Sequence, residues 1–221
     1  MNASLFVALC IVLATMGAAS ADERRWTSRD YVDLYFRHYN GHVPLPHLRD
    51  EAQKTLFSHL VDPANITRIV EAPNSNDEKL RQFRIILAVL GAYRAAYNVA
   101  VIVGEPLEQE LTLVQVHTLE VADAVTRLTQ KSASDIGAPS AWATLVEGVI
   151  ESVADSARYS PAQRTIMADA VTRHYPAIAA VLPENELQRL RSEVLKLTDV
   201  SSDGRLHEVL KQMKQVIAAA Q

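Results

Sequence analysis

A single cysteine, Cys10, occurs in 221 residues, and it lies inside an apolar run near the N-terminus. Beyond that run the chain has no thiol. Disulfides, cysteine-based zinc sites and thiol nucleophiles are therefore excluded, and an ordinary core must hold the fold together. Glycine is scarce, with seven in all, and no stretch alternates apolar with polar residues long enough for a half-buried strand. Neither sign of charge dominates: 22 basic and 26 acidic residues are well mixed and leave a net charge of −4. Nucleic acid would want a basic face, so this balance argues against it as a partner. Also missing are a Gly-rich phosphate loop, a Gly-x-Ser-x-Gly elbow, a His-Glu-x-x-His pair and a calcium loop. These absences turn the reading away from a common enzyme. No residue stands out as catalytic, and no cofactor is implied.

The apolar run, 5–16, is long enough for the core of a signal peptide and too short to span a bilayer. Gly17 ends it, and Ala19-Ser20-Ala21 is the small-x-small pattern that a signal peptidase cuts after. The sequence thus predicts a signal peptide over 1–21, a mature chain from Asp22, and export to the periplasm or the medium. One departure is the lack of Lys or Arg before Leu5, where only the α-amino group of Met1 carries positive charge. Leu9 stands where a lipoprotein signal needs a small residue, so Cys10 is not a lipidation site.

The whole chain is 48% hydrophobic, enough for an ordinary core, and the remainder, 22–221, reads as one helical domain. Ser, Gly, Ala and Pro cluster over 132–139, a place for a subdivision. Ser28 is a cap for a first helix that stops at Gly41, and Asp62-Pro63 opens a short third one. The longest helix covers 77–103 and ends at Gly104, and the next covers 106–131. Ser140 and Ser160-Pro161 start two more, the second expected to kink or split at Pro176, and 184–197 and 205–219 close the chain. Leu107, Leu111, Val114, Thr118, Val121, Val125 and Leu128 alternate spacings of four and three. Leu80, Phe83, Leu87, Leu90, Arg94, Tyr97 and Val101 do the same, which packs helices side by side at a shallow angle. A short turn at Gly104 makes the two antiparallel neighbours. The expected architecture is all-α: an antiparallel bundle of seven to nine helices around a long central hairpin, 77–103 and 106–131.

The first helix of that hairpin is apolar nearly all round from Ile85 to Val103. A membrane span would carry Arg94 mid-segment at about 2.5–3.5 kcal/mol. A buried central helix is the better reading, with Ala88, Ala92, Ala95, Ala96 and Ala100 admitting close neighbours and no transmembrane span in the mature chain. Arg94 then takes a place where the seam wants leucine, and Asn98 follows one turn later. A buried guanidinium needs acceptors, and Glu110, Gln115 and Glu120 on the facing helix are the candidates for a register-fixing pair. The functional alternative is an anion or carboxylate site of Arg94, Asn98 and His117. His117-Thr-Leu-Glu120 has the spacing of half a bundle metal site, but no second half exists, so no metal is expected.

Trp26, Tyr31, Tyr35, Phe36 and Tyr39 crowd the mature N-terminus, and four of the seven histidines lie between Arg37 and Leu60. The three tyrosines recur every fourth residue and share a helix face, which suits a docked helix or a partner-binding surface. Glu147, Glu151 and Asp155 form an acidic ridge that reads as a solvated face, and Asn65-Ile66-Thr67 is a glycosylation sequon. The first functional expectation is an exported interaction protein that binds another protein through Trp26, Tyr31, Tyr35 and Tyr39. The alternative is a helical carrier whose apolar cavity near Arg94 takes a lipid-like or small acidic ligand. An enzyme comes third.

Overall fold

The computed structural model describes residues 26–129, 139–197 and 203–220. The expected signal peptide, its cleavage site and all but the last residue of 132–139 lie outside the described residues. Nine helices and no strand occur among the described residues, so the chain is all-α.

Local chemistry sets most of the boundaries. Helix α1 (Ser28–Tyr39) is capped by Thr27, one residue before the expected Ser28. The Asp30 N–H donates to the Thr27 hydroxyl, and the Thr27 N–H donates to the Asp30 carboxylate at 2.6 Å, a reciprocal capping box. Asp50 caps α2 (Glu51–Leu60), and Asp62 with Pro63 at the first helical position starts α3 (Pro63–Glu71). Ser75 caps α4 (Asn76–Ile102), the longest helix. It ends on Gly104, whose φ of 93° only glycine adopts without strain. There the Glu105 N–H donates to the Ala100 carbonyl and the Gly104 N–H to the Val101 carbonyl, which satisfies two terminal acceptors.

The chain turns back into α5 (Glu108–Thr129), which packs on α4 as the expected hairpin. Then follow α6 (Pro139–Ala154), α7 (Pro161–Ala179), α8 (Glu184–Leu195) and α9 (Gly204–Ala219). Helix α7 is not split: Pro176 lies in its last turn, where its missing N–H removes a single bond. The largest packing surfaces join α5 to α4, α5 to α7, and α7 to α9. One continuous apolar core runs from Tyr31 to Ile217.

The central helix is α5, not α4. In α5, 16 of the 22 residues are buried, including the whole expected stripe from Leu111 to Leu128. Its polar residues are met from within: Thr112, Thr118 and Thr129 donate to carbonyls four residues back, and Glu110 accepts from the Leu48 N–H at 2.8 Å. Unmet, each such buried group would cost about 1–3 kcal/mol. Hydropathy alone points to α4 because it does not count these local bonds. Yet α4 keeps one face outward, with Ala88 and Ala95 exposed and only Ala100 of its five alanines buried.

The buried stripe of α4 runs Phe83, Ile86, Leu90, Tyr93, Tyr97 and Ala100. Of the expected stripe, Leu80, Phe83, Leu90, Tyr97 and Val101 are buried, but Ile86 and Tyr93 take the places expected for Leu87 and Arg94. Tyr93 and Arg94 both follow Leu90 at a spacing that a 3.6-residue repeat allows. The tyrosine ring gains from burial, whereas the guanidinium would need acceptors that α5 does not offer.

Candidate functional site

Displaced from the seam, Arg94 opens onto a groove of about 660 Å³. Helix α4 forms one wall with Gly91, Arg94, Ala95 and Asn98, and α6 from Thr144 onward, with Asp155 just past its end, forms the other. Leu111 and Gln115 of α5 make the floor. Two glycines sit mid-helix on opposite walls, Gly91 and Gly148, and a Cβ on either would meet no atom within 4 Å. They widen the groove between α4 and α6. The volume falls in the range of small-molecule pockets.

Charge pairing inside the groove is uneven. Asp155 pairs with Arg158 at 3.5 Å, and Glu147 pairs with Arg189 at 3.4 Å. Arg158 also donates to the Asn98 side chain at 3.2 Å and closes one end. Two charges remain without a partner among the described residues: Arg94 on one wall and Glu151 on the other. Arg94 is half-buried, and desolvation alone pushes its guanidinium below the ordinary value, with no nearby carboxylate to offset it.

The floor carries a buried unmet group. Gln115 is 6% exposed, and its Nε2 donates to Ser152 Oγ at 3.0 Å. The Ser152 hydroxyl in turn donates to the Gly148 carbonyl at 2.9 Å, so its oxygen must accept from Gln115, which fixes the amide orientation. That leaves Gln115 Oε1 buried with no donor. Of the three acceptors expected for Arg94, none pairs with it: Glu110 meets Leu48, Gln115 meets Ser152, and Glu120 meets His117.

His117 does not join Arg94 and Asn98. It is 1% exposed, away from the groove, with Nδ1 at 2.9 Å from Glu120 and Nε2 at 3.2 Å from the Tyr31 hydroxyl. The Tyr31 hydroxyl accepts from Asn65 Nδ2 at 3.2 Å, and Asn65 Oδ1 accepts from the Trp26 N–H at 2.7 Å. This buried chain ties α1, α3 and α5 together. Asn65 itself has no exposed surface, so the sequon offers no acceptor on the folded chain.

The tyrosines divide as well. Tyr31 is buried, Tyr35 half-buried against Tyr93, and Tyr39 is 74% exposed. Trp26 is half-buried, edge-on to Tyr31 and stacked on His59. The four do not form one outward face. Elsewhere, Asp123 of α5 joins His174 of α7 at 2.9 Å and accepts from Arg127. Desolvation acts to raise the Asp123 pKa, but the hydrogen bonds from His174 and Arg127, with their charges, outweigh it and hold the carboxyl below its ordinary range. No group of three metal-ligating side chains gathers among the described residues.

Arg94 and Asn98 stand out in the sequence, whereas Gln115 Oε1 and Glu151 do not, although both line the groove. The signal was present in Gly91 and Gly148, since a glycine inside a helix is costly and points to a local need for space. No protein-family model matches the chain, and neither does any curated protein or solved structure.

Proposed function

We propose that the chain is an exported binding protein that holds a small acidic ligand, also bearing an ammonium group, in the groove between α4 and α6. The observation that carries this reading is Arg94, a half-buried fixed charge facing the groove with no acceptor among the described residues. Guanidinium is always charged near neutral pH and presents a planar fork suited to a carboxylate. Glu151 supplies the opposite charge on the facing wall, and Gln115 Oε1 takes an N–H from between them. An amino acid or a short peptide carries all three complements. A lipid tail does not fit, because most of the lining side chains are polar or charged. Export is inferred from the run 5–16 and the Ala19-Ser20-Ala21 site.

Thermal denaturation with a panel of probes tests the reading. The panel holds free amino acids and dialanine, with acetate and methylamine as one-ended controls. A zwitterion present at 100 times its Kd adds about 2.7 kcal/mol, or ~5–10 °C for a chain of this size. Arg94→Met removes that gain. If every zwitterion leaves the wild-type melting temperature where acetate leaves it, the reading fails.

A second reading keeps the N-terminal helix as a protein-binding surface, narrowed to its exposed end. Phe36 and Tyr39 are 54% and 74% exposed and lie on one turn of α1. A photo-crosslinking residue at position 39 should give one defined adduct in the native host, and Phe36→Ser should abolish it; adduct formation that ignores Phe36 contradicts this reading.

A further inference from the structure

A hollow of about 380 Å³ lies between α3 and α5 and shares no residue with the Arg94 groove. Much of its wall is apolar: Ile66 and Val70 come from α3, and Ala124 and Leu128 from α5. Glu120, Asp123 and Arg127 of α5 border it too, together with His174 of α7. Two of these charges cancel. Arg127 donates through Nε and Nη2 to the two Asp123 oxygens, and His174 Nδ1 meets Oδ2 at 2.9 Å, so this carboxylate is engaged on both sides. Glu120 differs. Its one ion-pair partner among the described residues is His117, and the hydrogen bonds around that histidine make it neutral. The buried Tyr31 hydroxyl already accepts from Asn65 Nδ2, an amide held in orientation by the Trp26 N–H on Oδ1 and the His59 carbonyl on Nδ2. The phenol hydrogen then has one acceptor among the described residues, His117 Nε2, so the imidazole proton sits on Nδ1 and is donated to Glu120 Oε2. A protonated imidazole would leave that phenol hydrogen buried and unmet. Glu120 thus borders an apolar wall with its charge uncompensated, its Oε1 free of donors and its side chain 19% exposed.

We infer that this hollow binds an organic amine, with its ammonium on Glu120 and its hydrocarbon body along Ile66, Val70, Ala124 and Leu128. Charge selects the head group. An ammonium N–H supplies the donor that Glu120 Oε1 lacks, a charge-assisted bond beside a poorly hydrated wall. An anion meets the Glu120 charge, and the Arg127 guanidinium that could attract it is already held by Asp123. An inorganic cation finds too few ligands, since no group of three metal-ligating side chains gathers among the described residues. The wall selects the body. A bare ammonium leaves the apolar side chains wet, whereas each methylene laid against them strengthens binding about fourfold. Ala124 is the small residue that keeps this space open. The site takes a ligand of one charge, unlike the groove, and depends on none of the groove residues.

Carbon-13 methyl spectra of the full chain, recorded while n-hexylamine is added, test the inference. The Ile66, Val70 and Leu128 signals should shift along one binding curve. Affinity should rise about fourfold per carbon from propylamine to hexylamine, and hexan-1-ol should bind at least about tenfold more weakly than hexylamine. That contrast needs no variant. Glu120→Gln keeps an acceptor for the His117 Nδ1–H and should weaken hexylamine about tenfold while leaving hexan-1-ol unchanged. Ala124→Leu fills the hollow and should abolish binding of both, with an unchanged circular dichroism spectrum. Arg94→Met and Glu151→Gln should leave the hexylamine curve intact, which keeps failure of this site separate from failure of the groove. Methyl signals that stay fixed at ~10 mM hexylamine overturn the inference. So do equal affinities for hexylamine and hexan-1-ol, or a hexylamine curve that ignores Glu120→Gln and is lost in Glu151→Gln.

Discussion

Replacing Arg94 with methionine is expected to make the protein more stable, the opposite of what most substitutions at a half-buried position do. The guanidinium is partly desolvated and has no acceptor among the described residues. An unmet buried polar group costs about 1–3 kcal/mol and a charged one more, while the groove leaves Arg94 part of its hydration, so the net cost is ~1 kcal/mol. Methionine keeps the apolar stem and fills irregular space, so no cavity opens to offset the gain. For a chain of this length ~1 kcal/mol corresponds to about 2–4 °C in melting temperature. Urea denaturation should show a higher midpoint with an unchanged slope, because the surface exposed on unfolding hardly changes. Arg94→Lys retains the charge and should show no such gain. A loss of ~1 kcal/mol or more for Arg94→Met would mean that Arg94 makes a structural pair, and the reasoning about the groove would fall with it.

Asn65→Ala takes away the acceptor of the Trp26 N–H and the donor to Tyr31, so urea midpoints should fall by ~2–3 kcal/mol; a loss below ~0.5 kcal/mol would deny the buried chain its role. Gly148→Ala should stabilise α6 by about 1 kcal/mol through helix propensity, since its Cβ meets nothing, while weakening dialanine binding because that Cβ enters the groove. Calorimetry on the same sample reads both effects, and unchanged affinity would place the ligand elsewhere. Burial raises the phenol pKa of Tyr31, Tyr93, Tyr97 and Tyr175 above the ordinary value. The unfolded chain then releases these protons first, so their contribution is intact below about pH 10 and is lost progressively above it. Phenolate absorbance should show a group titrating early and a group that ionises only with unfolding, and a single transition for all seven tyrosines would contradict this.

Much of the fold is legible in the residues. Asp62-Pro63, Ser160-Pro161 and Gly104 each act locally, through a cap, a missing N–H or a positive φ, and each boundary falls where that chemistry puts it. The stripe of α5 is equally plain, because every member obeys one period. What periodicity does not resolve is rotation by a single residue. Tyr93 and Arg94 both satisfy the repeat after Leu90, and the choice depends on acceptors that other helices do or do not bring. The same limit hides α5 as the centre: its threonines and Glu110 count as polar in any hydropathy sum, although local carbonyls and the Leu48 amide satisfy them. Tyr31 shows a further limit. Its spacing with Tyr35 and Tyr39 marks one face of α1, but a twelve-residue helix lying across α4 buries one end of that face and leaves the other in solvent. The acidic ridge of α6 is visible in sequence, whereas its place opposite Arg94 follows only from two helices packing on the same floor.

The central claim is that Arg94, Gln115 and Glu151 together hold one ligand. Nitrogen-15 spectra recorded during a dialanine titration test it most directly, through the Arg94 Nε–H and Gln115 side-chain amide signals. Both should shift along one binding curve in the wild-type protein, and Glu151→Gln should weaken that curve about tenfold while leaving the spectrum of the free protein intact. Signals that stay fixed at saturating dialanine, or that respond identically in Glu151→Gln, would contradict the claim.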